Sequence, residues 1–314
     1  MRREQSLIGI SCLQHFLVDG LCICCLFLLG DYCSDRRVMF EAVMLYNVLA
    51  FMSQPLTGLL SDRMAHRHWL LLSSALLMTS AVLLAALLPK MLLVALLLGL
   101  GNSLFHVWGG KQTVVKAGND LRALGLFVST GALGLAVNMV FRSWPLLYVL
   151  LLTYVLLAVI YVGCDDGFVL VPTADRERPA WLTPAGVWTA VVLLMLFVAY
   201  RSFAGELLSR GITKTDWLII VIGAVSMLGK MAGGWMARRL GVVRSLAFVL
   251  LGVALCLYFG REVEPLRLAG IFLMNTTMPV TLYLANDVLP GREGLVFGLL
   301  AAALIPGYLL AVYL

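Results

Sequence analysis

Runs of roughly 20 apolar residues, recurring about every 25 to 30 residues from Leu7 to Leu314, constrain this chain more than any motif it carries. Each run is long enough to cross the hydrocarbon core of a bilayer as a helix. Hydrophobic residues make up 61% of the sequence and charged residues 13%, against about 25% charged in a soluble domain. Mean hydropathy is +0.97, which excludes a soluble fold of this length. We read eleven spans: 5–30, 38–62, 67–88, 90–110, 120–141, 144–163, 183–208, 213–238, 242–260, 264–289 and 293–314. The first is too long, and lacks the small-residue cleavage site, to be a signal peptide.

Connections between the runs are short and turn-like, with one exception of roughly 20 residues from Cys164 to Thr183. It carries Asp165, Asp166, Asp175, Arg176, Glu177 and Arg178, and is the natural boundary between two parts. The organisation expected is therefore an N-terminal six-helix bundle (1–163), a cytoplasmic inter-domain loop (164–182) and a C-terminal five-helix bundle (183–314). Lys and Arg concentrate in one set of loops, at Arg2, Arg3, Arg63, Arg67, Lys111, Lys116, Arg122, Arg176, Arg178, Arg238, Arg239, Arg244 and Arg292. Positively charged loops stay cytoplasmic, so the expectation is an inner-membrane protein with its N-terminus inside. The net charge of +6 follows from this loop bias and calls for no nucleic-acid partner.

Five of the seven cysteines fall within spans, where a thiol behaves as a small hydrophobe. Cys22 and Cys25 form a Cys-x-x-Cys pair inside an apolar helix, with no second pair to complete a metal shell. No metal and no cofactor are expected. No Gly-rich phosphate loop followed by Lys and Ser or Thr is present, so ATP is not expected as the energy source. No enzyme constellation is found.

Weak internal repetition runs through the chain. Span 2 ends Gln54-Pro-Leu-Thr-Gly58-Leu-Leu-Ser-Asp62-Arg63-Met-Ala65-His66-Arg67, and span 8 ends Lys230-Met-Ala-Gly233-Gly234-Trp-Met-Ala-Arg238-Arg239-Leu-Gly241. Asn102 in span 4 answers to Asn275 in span 10, and Arg122 opening span 5 answers to Arg292 opening span 11. A six-helix unit used twice accounts for all three correspondences.

With these landmarks the sequence resembles the major facilitator superfamily. That family carries a Gly-x-x-x-Asp-Arg-x-Gly-Arg-Arg signature between spans 2 and 3. Here it reads Gly58-Leu-Leu-Ser-Asp62-Arg63-Met-Ala65-His66-Arg67, with Ala65 in place of the glycine and His66 in place of an arginine. The stretches Phe105-His-Val-Trp-Gly-Gly110, Phe127-Val-Ser-Thr-Gly-Ala-Leu-Gly134 and Tyr200-Arg-Ser-Phe203 resemble the fosmidomycin-resistance-like branch. The resemblance implies an all-α, polytopic transmembrane bundle of two pseudo-symmetric halves, here six plus five helices. The family's usual twelfth helix is not found. It also implies that spans 1, 4, 7 and 10 line a central cavity, and that Asp62 meets the N-terminus of a helix in the other half. Gly58, Asp62, Arg63, Arg67, Arg238 and Arg239 are the inner-gate residues on this reading.

Ionisable groups held within spans are costly at about 2.5 to 3.5 kcal/mol each, and so mark candidate sites. His15 and Asp19 lie four apart on one face of span 1, near the bilayer midplane. Asp19 could carry a proton with His15 tuning it, or the two could form a neutral structural pair. Asn102 and His106 repeat the spacing on span 4, as a substrate-lining face or an interhelical contact. Arg201 on span 7 could pair with Asp19 or grip an anionic group. Asn275, Thr276 and Thr277 precede Pro279 on span 10, where a kink makes either a gate or a packing device. Lys230 reads as a lysine snorkelling to the inner interface. Asn47, Gln54 and Asn138 read as interhelical hydrogen bonds.

The function these residues support is proton-coupled secondary transport of a small molecule by alternating access. Drug or metabolite efflux by antiport fits the branch resemblance, and the partners expected are substrate, protons and the lipid bilayer, with the chain as a monomer. An ion-independent facilitator, a membrane-embedded lipid-modifying enzyme and a truncated non-transporting relic are the alternatives.

Overall fold

The computed structural model describes residues 2–64, 68–88, 90–165, 183–210, 212, 215–260 and 263–314. Among them, eleven helices are long and apolar enough to span a bilayer: α1 (Arg3–Asp31), α2 (Arg36–Arg63), α3 (Trp69–Leu87), α4 (Met91–Ala117), α5 (Leu121–Val140), α6 (Trp144–Cys164), α7 (Pro184–Arg210), α8 (Asp216–Leu240), α9 (Val242–Phe259), α10 (Glu264–Val288) and α11 (Glu293–Tyr313). A chain in hydrocarbon must satisfy its backbone groups internally, and a helix does so within one segment. The protein is a multi-pass, all-helical membrane protein. Most of the linking loop expected over 164–182, and Arg67, lie outside the described residues.

Helix starts are set by short polar caps. Asp35, Asp120, Ser143 and Thr215 each accept a backbone N–H from the first turn of α2, α5, α6 and α8. The expected span 90–110 falls short of α4, which continues to Ala117 before the left-handed Gly118 stops it (φ 59°). Its last turns carry Lys111 and Lys116, which charge alone places in a loop. Lys116 is instead buried, 2.9 Å from the Asp165 carboxylate and 3.6 Å from Glu4.

α2 and α11 are interrupted. Pro55 has no N–H to offer the Phe51 carbonyl, and α2 widens into a π turn over Val48–Met52. Side chains bond back to carbonyls within this turn: Ser53 Oγ donates to Leu49 and Gln54 Nε2 to Ala50. Pro306 likewise has no N–H to offer the Ala302 carbonyl, and α11 breaks at Ala303 between Glu293–Ala302 and Leu304–Tyr313.

Pairings within the first half reappear six helices later. α1 packs on α4 and α5 as α7 packs on α10 and α11; α2 packs on α4 as α8 packs on α10; α3 packs on α4 as α9 packs on α10. α1 lies at the centre of the first set, with Val18, Leu21, Cys22, Cys24, Cys25 and Leu26 fully buried. The halves meet along two seams, α5 against α8 and α2 against α11.

Candidate functional site

Between the halves lies a cavity of about 520 Å³, walled by α1, α2, α4, α5, α7, α8, α10 and α11. It reaches towards the end of the bundle that carries Met139, Ser209 and Ile219. Phe297 forms its floor, its ring stacked edgewise on Phe127 at 6.2 Å and filling the space a Cβ on Gly110 would need.

His15, Asp19, Asn102, His106 and Arg201 all line this cavity. The first four form one cluster. His15 Nδ1 lies 2.7 Å from the Phe127 carbonyl and His106 Nδ1 lies 3.0 Å from the Asn102 carbonyl. A carbonyl can only accept, so both Nδ1 atoms carry hydrogen. The two Nε2 atoms then face each other at 2.9 Å, and each stands near the Asp19 carboxylate, at 3.4 Å from His15 and 3.5 Å from His106. Asn102 Nδ2 donates to Asp19 at 3.1 Å. Two neutral imidazoles would present lone pair to lone pair across that gap, which makes the three side chains a ready site for a small cation. A single proton between the two rings, beside the carboxylate, is the simplest such cation.

The donor atoms of His15, Asp19 and His106 lie within 4.8 Å of one another, close enough for one metal ion to bridge. The surrounding charge disfavours a divalent ion, because Arg201 and Lys230 line the same cavity. Gly131 on α5 makes room for the cluster: a Cβ there would collide with the Asp19 carboxylate and the His15 ring.

Arg201 is buried and does not pair with Asp19; its guanidinium donates to Thr281 Oγ1 at 3.4 Å. Lys230 corrects the sequence reading. It lines the cavity with Arg201 and does not snorkel to the interface. Hydropathy shows how deep a residue sits in a span but not which way it faces.

Asn275, Thr276 and Thr277 do not line the cavity. Gly229 and Gly233 bring α8 against the backbone of α10 at Phe272 and Thr276, turning that polar face into a helix contact. Asn275 Nδ2 reaches Ser226 Oγ at 3.4 Å and its own helix at Ile271, while the Thr276 and Thr277 hydroxyls donate to carbonyls three residues back. The cavity wall from α10 is the next turn, Met278, Thr281 and Leu282. Asn47 and Gln54 also depart from expectation: they bond carbonyls of α2 and line the cavity. Asn138 likewise bonds its own helix at Gly134.

Below the floor the bundle is sealed at both seams. Asp62 accepts hydrogen bonds from the backbone of Gly294 and Leu295, each at 2.9 Å, at the first turn of α11. An anion is favoured there by the helix dipole. Lys111, which the sequence reading counted only among the loop cations, stands 3.1 Å from the same carboxylate. Gly58 lies directly on Gly294, and Gly298 on Gln54, with no space for a Cβ at either glycine.

At the other seam Arg238 forms an ion pair with Asp120, the cap of α5, and Arg122 stacks over Trp235 at 5.4 Å. Burial works against the Asp120 carboxylate, but hydrogen bonds from Arg122 and the charges of Arg122 and Arg238 hold it below the usual range. The charges are thus inverted between the seams: an acid from α2 caps α11, while a base from α8 meets the cap of α5. Arg63 and Arg239 are exposed.

No protein-family model matches the chain, and no curated protein matches it in sequence. Solved structures share its arrangement. A major facilitator superfamily transporter, FucP, in the outward conformation aligns at a TM-score of 0.68 and 13% identity, covering 98% of this chain and 90% of that one. The chain has the major-facilitator fold. The human organic anion transporter MFSD10 (TETRAN) shares that fold at a TM-score of 0.70 and 16% identity, covering 99% of this chain and 93% of that one. A bacterial homologue of the iron transporter ferroportin, in an outward-facing state, aligns at 0.60 and 15%, covering 98% and 91%.

Proposed function

We propose that this protein is a secondary transporter that carries a small molecule across the inner membrane by alternating access, coupled to protons. One observation carries the reading: a cavity between the two halves reaches one end of the bundle, is sealed at the other, and holds the His15–Asp19–His106 cluster on its wall. On this reading the halves are 1–163 and 183–314, joined by 164–182, and they rock about the α5–α8 and α2–α11 seams. The sealed end is cytoplasmic, which the Lys and Arg bias supports, and the present arrangement faces outward.

Opening inward has to break the Asp62 cap on α11 and the Arg238–Asp120 pair together, which makes the change an all-or-none step between two packed states. The cluster supplies coupling on this reading, since a proton taken up between His15, His106 and Asp19 is exposed to whichever side the cavity faces. The other titratable or charged groups around it are Cys22 on α1, Tyr46 on α2, Arg201 on α7 and Lys230 on α8. Export in exchange for protons is the direction we favour, on the resemblance of spans 4, 5 and 7 to the fosmidomycin-resistance-like branch. The protein works as a monomer on this reading.

Reconstitution of the full chain in proteoliposomes tests the coupling. With Asp19→Asn, solute exchange at equal pH continues while accumulation driven by a pH gradient falls to background. Unchanged gradient-driven accumulation would remove Asp19 from the proton path. Loss of proton-driven flux only on adding Zn²⁺ would show instead that the cluster takes a metal ion.

A further inference from the structure

Two cations face the cavity from one half, and among the described residues neither forms an ion pair. Arg201 and Lys230 come from α7 and α8 and line the same space. Arg201 is buried, yet its hydrogen-bond partner is a single hydroxyl, Thr281 Oγ1 at 3.4 Å. Among the described residues no carboxylate comes within ion-pair distance of either side chain. Asp19, the acid on the cavity wall, is engaged by Asn102, His15 and His106. Two fixed cations against one engaged carboxylate leave the cavity with an excess of positive charge.

A guanidinium has five N–H donors in a planar fork, so most of the hydrogen-bonding capacity of Arg201 is unused by the protein. Much of the cavity wall is apolar, including Val128, Leu135, Ile222, Met278 and Leu282. The space is of the size that takes small organic ligands.

We infer that the cavity binds an organic anion with an apolar body, its charged group held between Arg201 and Lys230 and its hydrocarbon against the α5, α8 and α10 walls. The substrate class follows from the site's own chemistry. A carboxylate, sulfonate or phosphonate completes the fork of Arg201 and supplies the missing counter-charge for Lys230. An organic cation meets two like charges, and a neutral analogue leaves both uncompensated. This inference gives the transport reading its substrate class and rests on the cavity being the solute path.

The test uses one aromatic body with different charges. Purified full-length protein is titrated with naphthalene-2-carboxylate, naphthalene-2-sulfonate and naphthylphosphonate, and with the matching amide and methylammonium, and ligand-induced thermal stabilisation gives the affinity. At least one anion stabilises the protein, and it does so roughly tenfold or more tightly than the amide or the ammonium. Arg201→Gln and Lys230→Gln each weaken that anion by about tenfold or more, whereas Arg201→Lys retains part of the affinity. Equal or tighter binding of the ammonium, no binding of any anion, or anion binding unaffected by Lys230→Gln and Arg201→Gln overturns the inference. Should one Gln variant fail to fold, the other decides.

Flux separates this inference from the reading beneath it. Anion binding that needs both cations, with no flux of that anion in proteoliposomes, leaves the inference standing and sinks transport. Flux of a cationic solute that ignores both variants does the reverse.

Discussion

Gly131 shows how tightly the polar cluster is built. A methyl group there meets the Asp19 carboxylate and the His15 imidazole, both held by further bonds. Gly131→Ala therefore forces these groups apart, at about 1 to 3 kcal/mol for an overpacked interior. The expected result is a modest fall in thermal stability together with loss of proton-driven transport, read by a melting curve and a flux assay on one preparation. Full transport would mean that the His15–Asp19–His106 distances do not matter to coupling. At this scale the sequence was partly legible. His15, Asp19, Asn102, His106 and Arg201 stood out because a charge or an amide inside an apolar run is chemically conspicuous. Gly131 and Lys230 did not reveal their roles, since a glycine looks like helix packing and a lysine near a span end looks like a snorkelling one.

Helices were legible in number and, apart from the last two turns of α4, in extent, because each requires an apolar run and most turns show as a polar break. Their azimuth was not. These helices are apolar on nearly every face, so no stripe marks the inward side, and Asn275, Thr276 and Thr277, which read as either a gate or a packing device, stay off the cavity wall, with Asn275 and Thr276 against α8. Asn47, Phe51 and Gln54 do share one helical face by their spacing, but nothing in so apolar a helix marks that face as the one on the cavity.

Two element-level predictions concern the sealed end. Asp62→Asn removes the charge that caps α11 and pairs with Lys111. That weakens the seal by roughly 1 to 3 kcal/mol and raises labelling of a cysteine placed on the cavity floor from the sealed side. Unchanged labelling would separate Asp62 from gating. Asp120 has its carboxyl held below the usual range, so its contribution to the closed seam is present above the ordinary carboxylate value. It is lost only as pH falls through the lowered one. Arg122 and Arg238 are the charged groups it faces. Closure at this seam should thus be insensitive to pH between about 8 and 5, and should fail only below roughly pH 4. Accessibility of a cysteine replacing Leu126 across that range checks it, and opening near pH 6 would assign the seam to another group.

At the scale of the whole molecule, the repetition seen in the residues around Gly58 and Gly234 corresponds to a repetition of helix pairings, and the two seams join what the pairings divide. The connection over 164–182 left a clear mark in the sequence, since it is the one long polar break. The inverted charge at the seams left none, because Arg238 stands where the first half has Asp62 and only the folded chain brings Asp120 to meet it. Everything functional in this account depends on the halves having two relative positions. Spin labels at Arg63 and Arg239, both exposed at the sealed end, test this directly by pulsed dipolar distance measurement in liposomes. The account predicts two distance populations, with Asp62→Asn shifting weight to the longer one. A single distance that neither Asp62→Asn nor a pH gradient alters would contradict it.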